Sequence, residues 1–123
     1  MNSNFQILNE YQKLIEYVHL YLFCSFPKSE LGLKVHFEKS LYDLLENIMR
    51  ANCNIGNIRS KYQKEALVNI SMLDFFTGLM FERKLIVKRR FLTITNKLLK
   101  LKAMIIGWSN EKAKKSLQSN DKI

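Results

Sequence analysis

Between Lys88 and Trp108 the chain carries six bases (Lys88, Arg89, Arg90, Lys97, Lys100 and Lys102) and no acid. Lysine and arginine at that density neutralise phosphates without regard to base sequence. The chemistry open to this stretch is therefore the holding of a polyanion, and Lys84 adds a cation just ahead of it. A run of charge also serves as a plain solvated face. Segregation of sign weighs against that: residues 26–51 balance four bases with four acids, whereas residues 85–109 hold +6 of the chain's +9. Solubility needs no such sorting, because mixed signs serve it equally well. The candidate nucleic-acid contacts are Lys84, Lys88, Arg89, Arg90, Lys97 and Lys100.

Residues suited to bond-making chemistry are sparse. His19 and His36 stand on different predicted helices, and neither has a Glu-x-x-His or His-x-x-x-His partner. A di-metal carboxylate site of the ferritin type is thus not encoded, and no metal is expected. No G-x-S-x-G elbow, phosphate-binding loop or dinucleotide fingerprint occurs. Glu38, Asp43, Glu46, Glu65, Asp74 and Glu82 interleave with bases rather than pairing with one another. Cys24 and Cys53 are isolated and read as buried free thiols, which fits a reducing, cytoplasmic setting. No catalytic residue and no cofactor is expected; the chain reads as a binding protein, not an enzyme.

The elements that must position the bases are helices. One proline, four glycines and 47% apolar residues leave little punctuation for strands. Around the basic run, Phe91, Ile94, Leu98, Leu101, Ile105 and Trp108 step by 3, 4, 3, 4 and 3, the spacing of a helix seam. At 100° per residue, Arg89, Thr93, Asn96, Lys97 and Lys100 fall opposite that seam. Leu92, Leu99, Ala103 and Ile106 form a second apolar strip. Residues 5–25 predict a first helix with a seam at Leu8, Tyr11, Ile15, Val18 and Leu22, a second stripe at Tyr17, Tyr21 and Cys24, and a stop at Phe26-Pro27. Residues 33–51 predict a second, with a seam at Phe37, Leu41, Leu44, Ile48 and Ala51. A turn signal, Asn52 to Asn57, precedes a third helix over 58–84.

That third helix is apolar on two sides. Tyr62, Ala66, Asn69, Leu73, Phe76 and Met80 line one face; Val68, Met72, Phe75 and Leu79 line the other. Asn69 is the polar core candidate, expected to specify register. Two apolar faces on one helix imply burial on two sides, so the chain is expected to self-associate through Phe75, Leu79, Leu92, Leu99 and Ile106. Residues 85–87 carry no breaker, yet a compact bundle requires a turn there. Residues 1–109 then form one up-down-up-down four-helix bundle, followed by a polar tail, 110–123, expected to be disordered. At 123 residues the chain buries about two thirds of its unfolded surface without a disulfide or metal. The first residues lack the basic-then-apolar pattern of a signal peptide, and no apolar run is long enough to span a bilayer. A membrane-surface bundle is a weaker reading, because the seam of the fourth helix has better use in a core.

Several of these residues together resemble one family. The first helix ends in Phe26-Pro27-Lys28-Ser29-Glu30, Gly32-Leu33 opens the second, and Met104-Ile105-Ile106-Gly107-Trp108 closes the last. The combination, spanning about residues 8–115, resembles the four-helix-bundle family of the accessory variability determinant (Avd) proteins of diversity-generating retroelements and of the proteins encoded by ribosomal-RNA intervening sequences. The resemblance implies a homopentameric barrel with a basic surface. In the retroelement branch it also implies a non-enzymatic accessory protein that binds nucleic acid, RNA or DNA, and the element's reverse transcriptase. The intervening-sequence branch is the alternative, with the same fold and no assigned biochemical role. The chain departs from the family's pattern at Lys84 and Val87, where related sequences carry a glycine and then a capping serine or asparagine.

Overall fold

The computed structural model describes the backbone of residues 3–23 and 26–121 and the side chains of 6–23 and 26–111. It is all-helical: α1 (Ser3–Tyr21), α2 (Leu31–Asn52), α3 (Gly56–Glu82) and α4 (Lys88–Asp121), with one 3-10 turn, Lys28–Glu30, leading into α2. Neighbours in sequence are neighbours in space, and α1 closes the square against α4. The result is a four-helix bundle, tightest between α2 and α3 and most open between α1 and α2.

The seams of α2 and α4 are buried where the 3.6-residue period puts them. Phe37, Leu41, Leu44, Ile48 and Ala51 are inaccessible, as are Ile94, Leu98, Leu101 and Ile105, with Trp108 nearly so. Phe91 is half-buried and stacks on Phe81, centroids 4.6 Å apart, where α3 meets the start of α4. Two seams differ from expectation. On α1 the core residues are Ile7, Tyr11, Leu14, Val18 and Leu22, so Leu8 and Ile15 are half-buried flanks. Ile7-Leu8 and Leu14-Ile15 are adjacent apolar pairs, and period alone cannot choose within a pair. On α3 the core takes Gln63, Ala66, Ile70, Leu73, Thr77 and Met80. Tyr62, Asn69 and Phe76 sit at its α2 margin. There Asn47 Nδ2 donates to Asn69 Oδ1 at 2.6 Å. Asn69 is therefore an edge residue, and the polar side chains in the core are Gln63, Thr77 and Ser40.

Two connections set the helix ends that frame the rest. Between α2 and α3, Gly56 has φ 68°, which a side chain would strain. Arg59 reaches back to close the last turn of α2: its Nε donates to Ala51 O at 2.9 Å and Asn54 O at 2.7 Å. Its guanidinium also lies 5.5 Å from the Trp108 ring centre. Cys53 stands in this connection and is exposed, so it is not the buried thiol the sequence suggested. Cys24 lies outside the described residues. Between α3 and α4, Lys84 N–H bonds Phe81 O at 3.0 Å and Leu85 N–H bonds Met80 O at 2.9 Å, with Lys84 itself left-handed at φ 60°. This is the Schellman closure, with Lys84 where glycine is the usual residue. Val87 O then accepts from Phe91 N at 3.1 Å, which makes Val87 the N-cap of α4. The helix runs past Ser109-Asn110 to Asp121. The tail expected as disordered is thus helical over 110–121, a stretch with no glycine or proline and with Glu111, Ala113, Leu117 and Gln118 as good helix formers.

Candidate nucleic-acid interface

The six candidate bases divide into two groups. Arg90, Lys97 and Lys100 turn toward α1. Arg90 Nη1 donates to the Tyr17 hydroxyl at 3.2 Å, and its guanidinium lies 3.8 Å from the ring centre of Tyr21. Lys97 Nζ sits 5.6 Å from the Tyr17 ring centre. Lys100 Nζ meets Glu10 Oε1 at 3.0 Å, and the same oxygen takes Lys13 Nζ at 3.3 Å. Hydrogen bonding from Lys100 is the main cause holding the Glu10 carboxyl below its ordinary range, against a smaller upward push from burial. Burial pushes the Tyr17 phenol up, but bonds to Arg90 and Thr93 and the charges of Arg90 and Arg89 outweigh it, and the phenol lies below its ordinary value.

The second group is Lys84, Lys88 and Arg89, at the corner where α3 turns into α4. All three are exposed, and among the described residues no acid pairs with any of them. Arg83, beside them, is paired with Glu30 at 2.7 Å, tying this corner to the entry of α2. Lys88, Arg89 and Arg90 occupy the first turn of α4, with no acid among them. Helix dipoles disfavour cations at that end by about 0.3–1 kcal/mol each. Their placement works against the helix and concentrates positive potential at one corner.

Of the six expected contacts, Arg90, Lys97 and Lys100 lie on the edge of α4 that faces α1, and Lys84, Lys88 and Arg89 cluster at the α3–α4 corner. Three are free, and three are engaged with Tyr17, Tyr21 and Glu10. The expected strip opposite the seam is rotated: Lys97 and Arg90 border α1, and the outermost line of α4 is apolar. Tyr17, Tyr21 and Glu10 join this site from α1, and no local motif marks them as part of it. The i, i+4 spacing of Tyr17 and Tyr21 was visible as a stripe, but nothing local says which helix it faces.

The expected association residues lie on the outer faces of α3 and α4. Phe75 and Leu99 are the most open, at 66% and 64%, and Leu92 and Ile106 are also exposed. Leu79 is half-buried. A cleft of about 290 Å³ between α3 and α4 is lined by Ile70, Ser71, Asp74, Thr95, Leu99 and Lys102 among others. Its acid, Asp74, suits it poorly to phosphate. Among the described residues no three His, Cys, Asp or Glu side chains lie close enough to hold a metal ion, and no helix is long and apolar enough to cross a membrane.

No family model, curated protein or solved structure matches the chain significantly.

Proposed function

We propose that this chain is a non-enzymatic accessory protein that binds nucleic acid through the α4 edge, of the kind found in diversity-generating retroelements, with a reverse transcriptase as its protein partner. The observation that carries the nucleic-acid reading is the corner of Lys84, Lys88 and Arg89. These cations are exposed and, among the described residues, unpaired with acids, and Lys88 and Arg89 are also set against the dipole of α4. A solvated face would gain nothing from such an arrangement. The family reading rests on the resemblance of Phe26 to Glu30, Gly32-Leu33 and Met104 to Trp108; at the α3–α4 turn the chain departs from it in residue type. Lys84 takes the left-handed position and Val87 the N-cap, the two places where related sequences carry a glycine and a capping residue.

Assembly into a homopentamer is part of the same proposal. Val68, Met72 and Phe75 on α3, and Leu92, Leu99 and Ile106 on α4, are apolar and exposed in the single chain. Apolar area of this extent marks a surface that another protein covers. A ring would repeat the basic corner around one assembly and strengthen the field felt by a polyanion.

The test is binding to RNA and DNA across a salt series. Each neutralised phosphate contributes about −0.9 to the slope of log K against log salt on duplex DNA and about −0.7 on single strands. The expected slope is steeper than about −3, with little dependence on sequence. Changing Lys84, Lys88 and Arg89 together to glutamine should weaken binding and flatten the slope by about 2 to 3, with helical circular dichroism unchanged. Unaltered affinity and slope in that variant would remove the basis of the reading.

A further inference from the structure

Tyr17 and Tyr21 do not belong to the core, yet they are held in place. Their ring centres are 4.8 Å apart on successive turns of α1. Arg90 lies against Tyr21 and donates to the Tyr17 hydroxyl, while Lys97 covers Tyr17. Tyr21 nevertheless remains 43% exposed. The edge therefore presents an ordered aromatic ring and a planar guanidinium beside free cations.

That combination distinguishes among polyanions. A duplex hides the faces of its bases and offers a protein of this kind only phosphates and groove edges. A single strand offers phosphates and open base faces, which stack on aromatic rings or arginine planes. A ring already ordered by Arg90 loses little conformational freedom when a base settles on it.

Resting on the nucleic-acid reading above, we infer that the ligand of this edge is single-stranded nucleic acid, with bases stacking on Tyr21 and the Arg90 plane while Lys97 and Arg89 take the phosphates. Tyr21 is the residue on which the discrimination rests. Tyr17 positions it by sharing Arg90.

The experiment compares an oligo-uridine 15-mer with a 15-base-pair RNA duplex by fluorescence anisotropy. The full chain is used as wild type, Tyr21→Phe and Tyr21→Leu. On charge alone the duplex, with its denser phosphates, should bind more tightly; the inference requires the single strand to bind at least as well. Tyr21→Leu keeps apolar bulk against α4 and removes the ring face. It should lower single-strand affinity by roughly tenfold and leave duplex affinity within about twofold, whereas Tyr21→Phe should retain the wild-type preference. A 2-aminopurine placed in the single strand should change its fluorescence on binding wild type and Tyr21→Phe but not Tyr21→Leu. Equal losses for both ligands, or none for either, would overturn the stacking inference. If the glutamine variant at Lys84, Lys88 and Arg89 still weakened both ligands, the broader nucleic-acid reading would survive. Absence of binding by wild type to either ligand would remove both.

Discussion

Glu10 is the acid that the α4 edge acquires only on folding. Its carboxylate holds Lys100 and Lys13 together, and hydrogen bonding from Lys100 keeps its ionisation below the ordinary carboxylate range. Because the folded value is depressed, this contribution to stability is present above the unfolded carboxylate range and is lost as pH falls through the folded value. For binding the sign is opposite, since Glu10 repels phosphate and occupies two lysines. Glu10→Gln should therefore tighten RNA binding several-fold at low salt and steepen the salt slope by about 1 to 2, readable in the same titration. Gln63 illustrates a different residue-scale effect. It is 1% exposed, and both polar atoms of its amide lack a hydrogen-bond partner among the described residues. A buried amide left unpaired costs about 1–3 kcal/mol, so Gln63→Leu should raise the unfolding free energy by an amount in that range, read from urea denaturation as a higher midpoint at unchanged slope. Tyr11, equally deep, avoids that cost. Its hydroxyl donates to Leu41 O at 2.7 Å, and burial pushes its ionisation far above the ordinary value, so it stays a donor.

At the scale of elements, the α3–α4 turn is closed by backbone bonds that its residues do not favour. Lys84 holds a left-handed conformation, which for a residue with a side chain costs about 1–2 kcal/mol. Val87 caps α4 without any side-chain oxygen to offer. Lys84→Gly should stabilise the bundle by about 1 kcal/mol, and Val87→Ser by about the same through its cap. The double variant should approach the sum, measured by urea denaturation. Lys84→Gly should at the same time weaken polyanion binding, because the cation goes with the strain. Stability and binding moving in opposite directions on one substitution would mark this turn as a place where function overrides local preference. Arg59 shows that a base can instead be absorbed by architecture: it closes α2 through Ala51 and Asn54 and lies over Trp108.

For the whole molecule, the outer faces of α3 and α4 leave a set of large apolar side chains exposed in the single chain. Leu92, Leu99 and Ile106 recur every seven residues along α4, flanked by Ala103, and Phe75 with Met72 and Val68 does the corresponding work on α3. Light scattering at micromolar concentration should give a mass well above the 14.6 kDa of one chain. Leu99→Asp should bring it down to that value with the helical signal intact, because Leu99 is 64% exposed and contributes little to the core of its own chain. Loss of helix in step with loss of mass would instead place Leu99 in the fold.

How much of this was legible from the residues differs by helix. On α2 and α4 one apolar ladder steps by three and four along the whole seam, and that ladder is the face buried in the core, while the second strip of α4 at Leu92, Leu99 and Ile106 stays exposed. On α1 and α3 apolar residues sit side by side or all round. There the choice between Leu14 and Ile15, or between Asn69 and Ile70, depended on where the neighbouring helices lay. The concentration of cations on α4 is a property of composition and could be read directly. Where those cations point could not, because Glu10, Tyr17 and Tyr21 are about 70 to 90 residues distant in sequence. The chain order by itself thus determined four helices, two of their seams and one basic element. Tertiary packing decided that three of the cations would be engaged by α1 and three left free, because side chains from separate helices meet only where the bundle's shared core brings their edges together.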